Sequence, residues 1–286
     1  MDLHKNFIKT KGPCTEGWRW FLKHHAQGAD YQPLLDDLVA AGRVDDACWL
    51  LSQFGPTRDV RVLDAIEADA LVFAGTLEVA GGIEVGSVLR TGGAIRAGGG
   101  IRAGAIASGD TIRARGAIMC GGALEAGGKV EALWGIEAGG DVRVRGSLRA
   151  GWDLACGGRL EVDGECSAGQ DMALAGPASA GKGFRAGGGI TAQDGIRAGH
   201  GIEAAAGIAS ARHIDAAWGI RAGAGIVADG AIRAGESLRA GAEIRAGDGY
   251  GVYAGTAVRQ ACWDASAQVS ACTRPERLFS GHWVGA

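Results

Sequence analysis

Proline is scarce in this chain, and so is net charge. Only 5 prolines stand among 286 residues that include 52 glycines. A collagen-like helix needs abundant proline beside glycine at every third position, so that architecture is excluded. The formal net charge is -3, too near neutral for the basic surface of a general nucleic-acid binder or of an anionic-membrane binder. No apolar run reaches the ~18 residues that a membrane-spanning helix needs. The opening segment Met1-Asp2-Leu3-His4-Lys5 lacks the apolar stretch of a secretion leader. The 7 cysteines are odd in number and form no C-x-x-C pair, a pattern that fits reduced thiols in a cytoplasmic protein. Also missing are a P-loop, His-Glu-x-x-His, Gly-x-Ser-x-Gly and any Cys/His cluster at metal-ligand spacing. The expectation is therefore no enzyme, no cofactor, no metal, no nucleic acid and no membrane.

What the chain does have is a six-residue period. From Ile106 to Tyr250 a large, usually aliphatic residue recurs at every sixth position, as in Ile196-Arg197-Ala198-Gly199 and Ile232-Arg233-Ala234-Gly235. The first and third residues are apolar, the second is charged or small, and glycine often follows. Alternation at period two is a strand signal, and the glycine marks a corner. One such unit cannot bury its apolar side alone, so the units must stack as a solenoid. Disorder is excluded for the same reason: 47% of the residues are hydrophobic and they are placed periodically.

The spacing predicts three regions. Residues 1–58 lack the repeat and read as short helices forming an N-terminal cap or recognition segment. Thr15 is placed to cap a helix with Trp18, Phe21, Leu22 and His25 on one face. A second helix carries Leu34, Leu35, Leu38 and Val39, with Gly42 ending it. Val44, Cys48 and Leu51 mark a third, with Asp45 and Asp46 in its first turn. Residues 59–255 form the hexapeptide-repeat solenoid, and 256–286 an aromatic C-terminal cap. Within the solenoid, Ile101 to Ile106 is one residue short, which predicts a tighter corner. Cys166, Met172 and Ala178 occupy anchor positions beside Pro177, which predicts a locally thin or distorted core.

The outward second positions set the number of sides. With three six-residue sides, residues 18 apart stack. One row then reads Glu125, Arg143, Glu161, Ser179, Arg197, Asp215, Arg233, and another Arg113, Glu131, Arg149, Ser167, Arg185, Glu203, Arg221, Arg239. Their largely alternating sign is what neighbouring strands favour. The fold expected is an all-β solenoid, a triangular parallel β-helix with ~18 residues per turn, preceded by a small α-helical cap; roughly ten turns at ~4.8 Å make a prism about 50 Å long.

The third row is largely uncharged: Met119, Glu137, Ala155, Ala173, Thr191, Ala209 and Val227, with Arg245 after them. Trp134 and Trp152, 18 apart, should stack on its edge. These nine residues, Met119 to Val227 and the two tryptophans, are the candidate protein interface. The competing expectations are that the N-terminal helices fold over this face, or that alanine is merely an unobtrusive outward residue. Trp218 belongs to another corner. His200 and His213 lie inside the uninterrupted repeat and read as corner residues.

The segments Gly135-Ile136-Glu137-Ala138-Gly139-Gly140-Asp141-Val142-Arg143-Val144 and Ala231-Ile232-Arg233-Ala234-Gly235 resemble the bactofilin family and other polymer-forming bacterial β-helix proteins, and are similar to the β-helical part of DUF342-type polymerisation proteins. The resemblance covers the solenoid only, and implies a right-handed triangular helix, no active site and end-to-end assembly. The chain departs from it in the helices and aromatic tail that flank the repeat. Left-handed hexapeptide acyltransferases, the enzymatic rival, place a small residue two positions before the aliphatic one, where this chain usually has glycine, as at Gly93, Gly122, Gly140 and Gly158. The N-terminal stretch Gly12-Pro13-Cys14-Thr15-Glu16-Gly17-Trp18 with Ala47-Cys48-Trp49-Leu50-Leu51 is similar to leaders of phage-associated proteins. The function expected is a scaffold that binds a protein partner or itself. The alternative is a phage- or mobile-element-encoded inhibitor of a host defence complex, in the manner of an anti-CRISPR.

Overall fold

The computed structural model describes residues 2–285. Its body is a parallel β-solenoid of three strands per turn. Each regular unit is a three-residue strand whose first and third side chains point inward and whose second points out, as in Ile196–Ala198 and Ile232–Ala234. Partners stack in register, Ile118 on Ile136 and Leu154 on Met172. The side chains that bridge consecutive turns, such as Arg113 to Glu131, are 18 residues apart. The interior is a continuous column of aliphatic side chains, most of them under 3% exposed, each contributing about 1.5–3 kcal/mol by leaving water.

We name the faces by their outward rows. The first face carries Glu125 and Arg143, the second Arg113 and Glu131, the third Met119 and Glu137. The second face is a 13-stranded ladder, longer than the ten turns expected, because non-repeating sequence at both ends contributes strands. Val60–Leu63 opens it, and Gln268–Ser270 and His282–Trp283 close it. The aromatic tail thus extends the solenoid, burying Val269 and Ala271 in the same core.

Three local readings change. The short spacing at Ile101 to Ile106 gives a continuous strand, Ile101–Ser108, which pairs on the third face through Ile101 and on the first through Ile106. The stretch around Cys166, Met172 and Ala178 is neither thin nor distorted. All three are buried and keep register. The volume is restored by Leu174, which stands where most units have alanine, and by Phe184 stacked directly on Cys166. Tyr250 is not an anchor. A turn at Asp248-Gly249, with φ +81° at Gly249, displaces the chain, so Val252 stacks on Ile232 and Tyr250 is 45% exposed.

The corner glycines serve a close approach between turns. A Cβ on Gly199 would stand 2.0 Å from the Gly181 carbonyl oxygen, and one on Gly151 1.9 Å from that of Leu133. Neither has positive φ, so the constraint is the neighbouring turn.

The N-terminal region folds into α1 (Lys5–Thr10), α2 (Thr15–His24), α3 (Tyr31–Ala40) and α4 (Val44–Phe54). The six-residue α1 has too little periodicity to announce itself. Helix α2 starts one residue earlier than its sequence signals: Cys14, not Thr15, is the N-cap, its Sγ accepting from the Gly17 N–H at 3.2 Å. Gly42, at φ +72°, ends α3 as expected. Leu34, Leu35, Leu38, Leu50 and Leu51 form a second core with Val72 and Ala74 of the solenoid. Gln32 of α3 donates to the Val72 carbonyl at 3.1 Å and accepts from the Ala74 N–H at 2.8 Å. Its amide thereby occupies the place of a neighbouring strand on the first face's opening edge. The helices sit at that end and do not fold across the third face.

Candidate protein-interaction face

On the two charged faces the outward rows form ion pairs between turns. Arg143 reaches Glu125 at 3.4 Å and Glu161 at 3.5 Å. Arg113 pairs with Glu131 at 2.7 Å, Arg185 with Glu203 at 3.4 Å and Arg233 with Asp215 at 3.7 Å. Arg96 bonds Glu78 in the same way. Such exposed pairs are worth roughly 0.2–1 kcal/mol each, and their chief consequence is register.

The third face lacks this device. Its row runs Met119, Glu137, Ala155, Ala173, Thr191, Ala209, Val227 and Arg245, each directly beside the next. Ala155 and Val227 are half-buried and the others exposed. Glu137 is the one charge between Arg102 and Arg245. The uncharged run Ala155 to Val227 crosses five strands, roughly 19 Å at ~4.8 Å per step. Along that run the side chains are short, so the sheet backbone lies close to the surface.

Its edge with the second face carries Trp134 and Trp152. The rings stack at 6.3 Å between centroids and 19° between planes, and remain 61% and 62% exposed. The cause is the period: the two residues hold the same corner position on consecutive turns, and Gly151 lets the second turn close over the Leu133 carbonyl. Leu133, 64% exposed, adds to this edge. The repeat pattern does not single it out because it lies between repeat positions, although Leu133-Trp134 visibly replaces the usual small corner pair.

The nine residues expected at an interface therefore form one row of seven and one corner pair. The surface combines short apolar side chains with the Thr191 hydroxyl, the Glu137 carboxylate and indole N–H donors, and the Met119 thioether accepts from the Arg102 guanidinium at 3.6 Å. The histidines stand elsewhere. His200 lies flat on Trp218 at 4.1 Å and 7°, on the corner between the first and second faces. His213 Nδ1 accepts from the Ala231 N–H at 2.9 Å, with Tyr250 edge-on. Both stabilise corners.

All seven cysteines are free thiols. Burial raises the thiol pKa of Cys120, Cys156 and Cys166, most strongly at Cys166. They act as small hydrophobes in the core. Among the described residues, no helix is long and apolar enough to cross a membrane.

The molecule is thus a parallel β-solenoid repeat protein with a helical N-terminal region. Residues 1–54, the whole of that helical region, match the family model of the YdhT N-terminal domain. No curated protein and no solved structure matches the chain.

Proposed function

We propose that this protein is a non-enzymatic scaffold that binds a protein partner, or a second copy of itself, through the third face and its tryptophan edge. The observation that carries this reading is the contrast within one solenoid. Ion-pair ladders line two faces, while the third presents Ala155, Ala173, Thr191, Ala209 and Val227 beside two stacked, exposed indoles. Uncharged patches with aromatic anchors are the composition of interface cores. The test is molar mass by light scattering for the full chain and for Ala155→Arg/Ala173→Glu. The expected outcome is a discrete oligomer that the double variant reduces to monomer with unchanged β-sheet circular dichroism. An oligomer of unaltered mass would overturn self-association through this face. For a wild-type monomer, the same variant separates a heterologous partner by loss of its capture.

A second reading has its own support. The opening strand of the second face, Val60–Leu63, pairs on one side only among the described residues, and Val60 and Val62 are 55% and 70% exposed. An unpaired edge with apolar side chains is a template for further strands, and the bactofilin resemblance implies end-to-end assembly. Filaments in negative-stain images, abolished by Val62→Lys but indifferent to Ala155→Arg/Ala173→Glu, would assign assembly to the ends and not to the face.

A further inference from the structure

A cavity of about 390 Å³ opens in the helical region, away from the third face. Leu34, Leu38 and Leu50 lie among its lining residues and are buried. Trp18 and Trp20 of α2 and Trp49 of α4 line it too, all half-buried. Three indoles around one small cavity is a heavy concentration in a chain with only 8 tryptophans. Apolar sites of a few hundred Å³ with a few placed polar groups are the usual form of small-molecule sites.

The polar lining is acidic. Asp46 is already engaged, by Arg43 at 2.5 Å and by the Cys14 thiol at 3.6 Å. Asp45 is exposed, lines the same cavity, and has no ion-pair partner among the described residues. Indole faces carry negative potential and attract cations held within about 6 Å; Trp18 lies on Phe21 at 5.8 Å and Trp20 against His24 at 4.7 Å and His25 at 5.5 Å, while the Trp49 ring has no aromatic partner among the described residues. A carboxylate without a counter-ion beside that ring adds to the attraction. An uncharged hydrocarbon would use the leucines and leave this electrostatic pattern idle, and an anion would be repelled by it.

We propose that this cavity binds a small organic cation, an ammonium group on a compact hydrocarbon body, with the alkyl part against the leucines and the charge against Trp49 near Asp45, one helical turn away. The site is independent of the third face.

The test uses the full chain, ¹⁵N-labelled, with choline as the probe. Its uncharged carbon isostere, 3,3-dimethylbutan-1-ol, is titrated in parallel. Indole N–H resonances are read individually, so Trp134 and Trp152 serve as exposed internal controls. The expected result is a saturable shift at Trp18, Trp20 and Trp49 without one at Trp134 or Trp152. The isostere should bind about tenfold more weakly. Asp45→Asn, an exposed change that should preserve the dispersed spectrum, should weaken choline at least about threefold with little effect on the isostere. Equal affinity for the two probes would overturn the proposal, since the cavity would then accept apolar matter regardless of charge. Equal shifts at the solenoid tryptophans, no saturable shift in the helical region, or unchanged choline affinity in the Asp45 variant would overturn it as well.

Discussion

The first and third faces share an inward row and differ in their outward one. Inside, both stack isoleucine on isoleucine: Ile196 on Ile214 in the first, Ile190 on Ile208 in the third. Outside, the first face alternates Arg197, Asp215 and Arg233, where the third has Thr191, Ala209 and Val227. Core packing and surface chemistry are thereby separated by alternation along the strand. Whatever the outward row does, the inward row holds the turn together. A face can lose its ion pairs without losing the fold because each exposed pair is worth a fraction of one buried aliphatic side chain.

Breaking the shared row should have the largest effect, and the same effect on both faces. Ile196→Ala and Ile208→Ala should each destabilise by about 2–5 kcal/mol, measured by urea denaturation. Costs differing several-fold would show that the faces do not share one core. Next comes the stacking distance. Gly199→Ala should cost about 1–3 kcal/mol, because overpacking forces backbone shifts and its Cβ would overlap the Gly181 carbonyl. Gly121→Ala should be near neutral, since its Cβ would meet nothing closer than 3.6 Å. Equal losses would put the corner constraint somewhere other than turn-to-turn approach.

The smallest effect sharpens the outward contrast. Arg143→Glu removes the ion pairs to Glu125 and Glu161 and sets a further carboxylate directly between those two. The expected loss is about 1 kcal/mol, shrinking in 1 M salt as the Debye length falls to about 3 Å. Ala173→Glu should leave stability within about 0.5 kcal/mol, since Ala173 is exposed and lies between Ala155 and Thr191, which carry no charge. A salt-independent loss at Arg143 would mean that its side chain acts by packing.

The features that repeat are the legible ones. The three-sided section, the 18-residue step, the charge ladders and the Trp134–Trp152 stack all follow from position within the period, because a solenoid converts sequence spacing into spatial adjacency. Tyr250 misleads for the same reason: the period assigns it an anchor, and a two-residue turn at Asp248-Gly249 moves Val252 there. The tail strands leave no such trace because Val269 and Trp283 enter the ladders only after long irregular connections, without the alternation that marks a strand. The cap at Cys14 is obscured by Thr15, the commoner capping residue one place later.

The sequence by itself determined that the chain stacks, how many sides it has, and which face is uncharged. A six-residue strand-and-corner leaves little else possible, and the outward residues can be read directly from their position. Tertiary structure alone decided how the repeat ends and what lies outside it. Gln32 completing the first face's edge, the tail strands joining the second, and three tryptophans gathered around a cavity with Asp45 all depend on contacts between segments with no common period. Such contacts are set by the packing of irregular surfaces, for which spacing along the chain gives no rule.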